Sequence, residues 1–226
     1  MKIGAIIQAR LGSTRLPGKA LRQVLGKPML CYLVESVARC SEIDEMIVAT
    51  SDHPSDDALE ELCRANGWPC RRGPLDDVAL RFLQTAKGAG FDAFVRLAGD
   101  SPLLDRRLVE RAVRLYKQEG PDLATNVLKR TFPKGQSVEV VKTETFAAAY
   151  PLMTSDEERE HVTLRFYRRA EEYRLVNFES GHDYGGIQLS VDTAEDMDRF
   201  ARIAACLERP HWEYTYQDFL EILGRS

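Results

Sequence analysis

The sequence predicts an α/β fold, a mainly parallel sheet with helices on both faces. Three observations predict it. Short apolar, β-branched runs alternate with stretches whose apolar residues recur at helical spacing, from residue 3 to residue 126. Runs such as IGAII at 3–7 are apolar throughout, which suits strands covered on both faces, as parallel strands are. Polar stretches at 8–19, 50–52 and 99–102 follow such runs directly, where an open parallel sheet binds its ligands.

In order, residues 3–7 form the first strand and 8–18 a loop rich in Gly, Ser, Thr, Arg and Pro. Leu30, Leu33, Val34 and Val37 mark a helix over 28–39, with Pro28 suited to its first turn. EMIVAT at 45–50 is a strand, 54–66 a helix stopped by Gly67, 68–72 a short strand and 76–87 a helix. DAFVRLA at 92–98 is another buried strand. Leu108, Val109, Ala112, Val113 and Tyr116 mark the next helix, and 122–126 a further strand. Beyond Lys134 the pattern changes. Strands are expected at 137–142, 173–178 and 187–191, and helices at 143–150 and 156–172. A last helix is capped by Thr193, with Asp196 three residues on as in a capping box. The expectation is one domain over 1–226, with residues 132–186 as a small inserted α+β lobe near the site of a second substrate.

Composition narrows the function. Hydrophobic residues make up 44% of the 226-residue chain and charged residues 29%, as in ordinary globular proteins. A formal net charge of -4 argues against a nucleic-acid protein, which usually carries a basic excess. It leaves room for a nucleotide, since a local cluster of cations is enough to hold phosphates. The chain shows no membrane-length apolar run, which would need about 18 consecutive residues. The N-terminal apolar run is short and ends at Arg10, unlike a secretory signal. Five cysteines, with no CxxC pair and no zinc-type spacing, suit reduced thiols in the cytoplasm.

Four segments carry candidate chemistry. The loop QARLGSTRLPGKAL at 8–21 gathers Arg10, Arg15 and Lys19, the glycines Gly12 and Gly18, and the hydroxyls of Ser13 and Thr14. Such a loop after a first strand can wrap phosphates with backbone N–H groups and cations. It is neither a Walker A loop, because Ala20 follows Lys19, nor a GxGxxG turn. In RLAGDSPLLD at 96–105, Asp100 follows a buried strand and is either a Mg²⁺ ligand or a turn aspartate. In SVDTAED at 190–196, Asp192 has the same ambiguity, while Asp196 belongs to the helix start. In EREHVT at 158–163, Glu160 and His161 either position an acceptor substrate or belong to a charged helix face.

Together these segments resemble the CTP-dependent cytidylyltransferase superfamily that makes CMP-activated acidic sugars. The branch of SpsF-type spore coat polysaccharide biosynthesis proteins is the most similar. IIQARLGSTRLPGKAL matches the family's opening motif, and ATSD at 49–52, RRG at 71–73, RLAGDSP, EREHVT and VDTAED follow in the family's order. The resemblance implies a Rossmann-like three-layer sandwich of the nucleotide-diphospho-sugar transferase type. It implies that Arg10, Gly12, Ser13, Thr14 and Lys19 hold the triphosphate, that Thr50 and Arg72 lie toward the cytosine, and that Asp100 and Asp192 bind Mg²⁺. Arg10, Lys19 and Asp100 are then the catalytic set, and a homodimer is implied, with the 132–186 lobe as the place where a partner contributes. The chain departs from the sialate and Kdo synthetases at Gln8, where they usually have Pro, and at Thr14, where sialate synthetases usually have Lys.

The reaction implied is in-line attack by an acceptor oxygen on the α-phosphorus of CTP, with pyrophosphate leaving. Its chemistry is mostly positioning and charge neutralisation. Two rivals remain at this stage: a glycosyltransferase using a nucleotide sugar, and a non-catalytic CTP-binding protein. The cationic first loop speaks against the former, since a nucleotide sugar has no triphosphate to hold. Two metal-type carboxylates speak against the latter.

Overall fold

In the computed structural model, which describes residues 1–225, the chain alternates as its apolar pattern requires. β1 (Ile3–Gln8) leads through the polar loop to a short hairpin, β2 (Gln23–Val24) and β3 (Lys27–Pro28), and then to α1 (Met29–Val37). Next come β4 (Glu45–Ser51), α2 (Asp57–Ala65), β5 (Cys70–Gly73), α3 (Val78–Gly88), β6 (Ala93–Ala98), α4 (Arg106–Glu119) and β7 (Leu123–Thr125). The remainder holds β8 (Glu139–Lys142), α5 (Thr143–Ala149), α6 (Asp156–Glu160), α7 (Leu164–Arg168), β9 (Leu175–Asn177), α8 (Ala194–Ala205) and α9 (Tyr216–Arg225).

Seven strands form one sheet in the order β5-β4-β1-β6-β8-β7-β9. β5, β4, β1 and β6 are mutually parallel, so their carboxyl ends share one edge. β8 alone runs against its neighbours β6 and β7. The stretch between β7 and β8 holds no helix to carry a crossover, so the chain turns back antiparallel. β8 and β9 both come from residues 132–186, the segment expected as an inserted lobe, and both lie in the main sheet.

Side chains alternate across the sheet and build a core on each face. One face packs Ile3, Ala5, Ile7, Val95 and Leu97 with Leu30 and Val34 of α1 and Val109 and Val113 of α4. The other packs Ile6, Ile47 and Phe94 with Phe82 of α3, Phe146 of α5 and Phe166 of α7. Helix starts follow sequence: Asp77 caps α3 by accepting from Leu80 N–H, Asp105 caps α4 by accepting from Arg107 N–H, and left-handed Gly120 ends α4. Thr193 and Asp196 form the expected capping box on α8.

Two expectations are corrected. Residues 187–191 are not a strand; they make a single bridge, Lys134 to Gln188. Leu189 and Val191 are apolar because they are buried with α1, α8 and α9 in a third cluster, beside Met29, Tyr32 and Phe200. The helix expected over 156–172 is broken. Val162 takes φ +51 and is wholly buried, which ends α6 and lets α7 start in a new direction. A β-branched residue in the left-handed region is strained, and burial of its side chain in the second core holds it there.

The carboxyl-terminal segment is fastened to α1 by His211. Its Nε2–H donates to the Tyr32 carbonyl at 2.8 Å, and the imidazole is 6% exposed. Burial pushes its pKa down from 6.5 to about 4, outweighing the hydrogen bond to Tyr32. Between those values the unfolded chain binds a proton that the folded chain refuses, so stability falls as the pH drops through this window. We expect this residue to cost about 2 kcal/mol of unfolding free energy between pH 7 and pH 5. Urea titrations at both pH values check it: the pH dependence of His211→Gln should be flatter than that of the wild type by that amount.

Candidate active site at the carboxyl edge of the sheet

The loop after β1 is shaped by its own backbone bonds. Ser13 and Gly18 N–H both donate to the Leu11 carbonyl, and Leu11 N–H donates to Asp56 Oδ1 at 2.7 Å. Asp56 is buried and also takes the Ser51 hydroxyl, so the end of β4 and the loop are tied to one carboxylate. Leu16 anchors the far side of the loop in the third cluster. Gly18, at φ +70, turns the chain so that Lys19 points back over the sheet edge.

Lys19 is the hub. Its Nζ donates to the Val191 carbonyl at 2.7 Å and stands 3.3 Å from Asp100 Oδ2 and 3.1 Å from Asp192 Oδ1. Arg15 adds a second cation on Asp192 Oδ1 at 3.0 Å. Asp100 is placed by β6 and by the close approach of Gly99, whose N–H donates to the Gln8 carbonyl at 2.8 Å. Asp192 is brought alongside by a backbone bond from Val191 N–H to the Asp100 carbonyl, 2.8 Å. Asp196 then fixes its backbone by accepting from Asp192 and Thr193 N–H, both at 3.0 Å. Burial opposes the charge on Asp196, but those N–H groups and Arg199 outweigh it and hold the carboxyl below its ordinary range.

These groups line a cavity of about 410 Å³. Arg10, Gly12, Ser13, Thr14, Lys19, Asp100, Glu160, His161 and Asp192 all face it. Glu160 and His161 reach it from the end of α6, and Glu160 Oε1 pairs with Arg10 at 2.7 Å. Thr50 and Arg72 do not line it. Thr50 is wholly buried on β4. Arg72 is turned onto the start of α2, donating to the Ser51 and His53 carbonyls and pairing with Asp57 and Glu60.

The cavity wall also holds Gln8, noted in the sequence only as a departure from related synthetases, and two residues to which pattern reading gave no role, Arg81 and Arg96. Arg96 pairs with buried Glu139 at 2.6 Å, and Glu139 also accepts from Thr163 and Tyr167. Burial, and then the Glu139 carboxylate, push the Tyr167 phenol well up, so it stays a donor. Arg81 is 2% exposed, and its Nε and Nη1 meet no hydrogen-bond partner among the described residues. Burial and then the Arg10 charge push its pKa down. One signal was available in sequence: Arg81 shares the buried face of α3 with Val78, Phe82 and Thr85, where a cation is out of place.

Chemically, the site is a ring of cations around two convergent carboxylates. Among the described residues no three His, Cys, Asp or Glu side chains are grouped to hold a metal. Two carboxylates already sharing one ammonium form a donor set that suits Mg²⁺, which takes one or two carboxylates plus phosphates and water.

A cytidylyltransferase family model matches residues 4–215. The chain belongs to the cytidylyltransferase family. It is 31% identical to the spore coat polysaccharide biosynthesis protein SpsF of Bacillus subtilis, over 98% of this chain and 93% of that one. Among solved structures, a cytidylyltransferase from Leptospira borgpetersenii superposes with a TM-score of 0.94 at 30% identity, covering 100% and 94% of the two chains. A CMP:2-keto-3-deoxy-manno-octonic acid synthetase complexed with CTP shares the fold, with a TM-score of 0.71 at 18% identity and coverage of 91% and 99%. The family membership and the Rossmann-like α/β fold are thus those that the opening motif implied.

The Gly99 approach gives a direct test of how the site is held. A Cβ there would lie 2.8 Å from the Gln8 carbonyl oxygen and 3.1 Å from the Ala9 Cβ, so backbone must move. Gly99→Ala is expected to destabilise by about 1–3 kcal/mol and to lower nucleotide-dependent turnover by shifting Asp100. Urea midpoints and turnover check both. Unchanged stability would mean that β1 and β6 tolerate separation at this edge.

Proposed function

We propose that this protein transfers CMP from CTP to a sugar-like acceptor, sugar acids included, and releases pyrophosphate, in the synthesis of a surface polysaccharide or glycan. The observation that carries the reading is the convergence of Asp100 and Asp192 on the Lys19 ammonium at the sheet edge, in a chain of this family. A triphosphate lying along the 9–18 loop meets Arg10, Arg15 and Lys19, the backbone N–H groups and the Ser13 and Thr14 hydroxyls.

In the proposed reaction an acceptor hydroxyl oxygen attacks the α-phosphorus, the bond from that phosphorus to the bridging oxygen of the β-phosphate breaks, and the hydroxyl proton passes to solvent. Lys19, Arg10 and Arg15 offset the charge that grows on the leaving pyrophosphate. Asp100 and Asp192 are the residues that would hold Mg²⁺, which supplies further charge neutralisation at the phosphates. Glu160 orients Arg10 through their ion pair and, with His161, faces the acceptor. Segment 132–186 supplies those two residues and is the proposed place of homodimer contact. No described helix is long and apolar enough to cross a membrane.

Pyrophosphate release from CTP, UTP, ATP and GTP, with Mg²⁺ and a panel of neutral and acidic sugars, tests the assignment. CTP with one acceptor class should exceed every other pairing. Asp100→Asn and Asp192→Asn should remain folded and lose on the order of a hundredfold or more in turnover, with partial recovery in Mn²⁺. Full activity of Asp192→Asn at low Mg²⁺ would remove it from the metal site. Release from ATP or GTP alone would overturn the choice of nucleotide.

A further inference from the structure

Because β8 runs against β6, its first residue lies at the edge where β6 ends. That residue is Glu139. Its cross-strand partners are Arg96 on β6 and Thr125 on β7, so the three side chains share one face of the sheet, the face that carries α3. Glu139 is 3% exposed, yet both its oxygens are engaged. Oε2 accepts from Arg96 Nη1 at 2.6 Å, and Oε1 accepts from the Thr163 hydroxyl at 2.7 Å and the Tyr167 phenol at 2.5 Å. The Tyr167 oxygen in turn meets the Thr125 hydroxyl at 3.0 Å. One buried carboxylate thus ties three strands to the start of α7.

The groups held in this way border the cavity. Arg96 lines its wall, and among the described residues the guanidinium bonds to Glu139 alone, with Nε meeting no acceptor. A guanidinium carries five N–H donors, so Arg96 keeps donors for a ligand's oxygens. Thr163 closes the turn that follows His161: its N–H donates to the His161 carbonyl at 2.5 Å, and Val162 between them takes φ +51. Such a conformation persists only where its surroundings over-determine it. Burial of the Val162 side chain in the second core does so on one side, and the bond from Thr163 to Glu139 on the other. The turn leaves Glu160 and His161 at the cavity and sends Val162 and Thr163 inside. All of this lies on the β8 side of β6, whereas the first loop follows β1 on its other side. Replacing a buried ion pair with apolar groups often costs no stability, so what this pair supplies is direction.

We propose that Glu139 is a positioning residue for the acceptor: it aims Arg96 at the acceptor's oxygens through their ion pair and clamps the 161–163 turn through Thr163, so that Arg96 and His161 meet the acceptor together. This rests on the reading that Glu160 and His161 face the acceptor. Glu139 itself touches no substrate; it acts through the two groups it holds.

Initial rates of pyrophosphate release by the full chain test it, with CTP, Mg²⁺ and the panel sugar that the wild type turns over fastest. Glu139→Gln keeps the size of the side chain and removes its charge. It should raise the KM of that sugar by about ten- to a hundredfold, the range for hydrogen bonds to a charged group, while the KM of CTP stays within about twofold of wild type. Glu139→Asp should recover part of the loss. Arg96→Met should raise the same KM, and the double variant should raise it by less than the product of the two single effects, as coupled groups do. Thermal melts report folding. Thr163→Val, which deletes one hydroxyl, is the second variant should Glu139→Gln fail to fold, and it should also raise the KM of the sugar and spare that of CTP. Where His161→Ala raises the KM of the sugar, an unchanged value in folded Glu139→Gln and Thr163→Val overturns this inference alone. An equal rise for both substrates also overturns it, by giving Glu139 a general part in the build of the cavity. A wild type that turns over no panel sugar, or in which His161→Ala leaves the KM of the sugar unchanged, overturns the acceptor reading and this inference together.

Discussion

Asp100 and Asp192 are 92 positions apart in the chain, yet the Lys19 ammonium is within 3.3 Å of both. Two carboxylates brought this close repel unless a cation lies between them. The ammonium meets that requirement in the folded chain. The rest of the edge is arranged around this point. Gly18 turns Lys19 back over the sheet, Gly99 lets β6 deliver Asp100, and the Val191 N–H to Asp100 carbonyl bond docks the returning chain. Asp196 holds that segment through its N-terminal cap of α8.

A second constraint acts on the sheet face that carries α3. The strands are apolar through the core, at Ile6, Ile47 and Phe94, and become polar at their last turn, at Gln8, Ser51 and Arg96. Several polar groups there are bound to neighbours from other elements: Arg96 to Glu139, Glu139 to Thr163 and Tyr167, Ser51 to Asp56, Arg10 to Glu160. Each of these bonds spares a buried polar group the cost of being left unsatisfied. Arg81 and Gln8 stand out against them. The strained turn at Val162 belongs to the same arrangement, since it sends Val162 into the core while Glu160 and His161 stay at the cavity.

Much of this was legible in sequence where periodicity and position act locally. Strand and helix alternation located β1, β4, β6 and the helices between them, because burial on both faces demands apolar runs. The strand-end rule pointed to Arg10, Lys19 and Asp100, which the structure brings to one cavity. It failed at 187–191 for an instructive reason. Leu189 and Val191 are apolar because helices cover them, and a short apolar run looks the same whether it is covered by strands or by helices. Asp192 therefore reaches the site beside β6 and not from the end of a strand. Likewise, 156–172 has helical composition, and nothing local announces that the chain breaks at Val162 to satisfy two directions at once.

By itself the sequence determined the α/β class and the family, since these depend on residue types at short spacing and on a contiguous motif. The tertiary structure decided which side chains share one cavity. It turned Arg72 onto α2, left Thr50 buried in the sheet, set β8 antiparallel inside the sheet, and brought Gln8, Arg81 and Arg96 to the wall. The physical reason is that ion pairing and hydrogen-bond satisfaction are settled between elements far apart in sequence. The helical spacing of Arg81 with Val78, Phe82 and Thr85 signals its burial, but not which groups from other elements would face it.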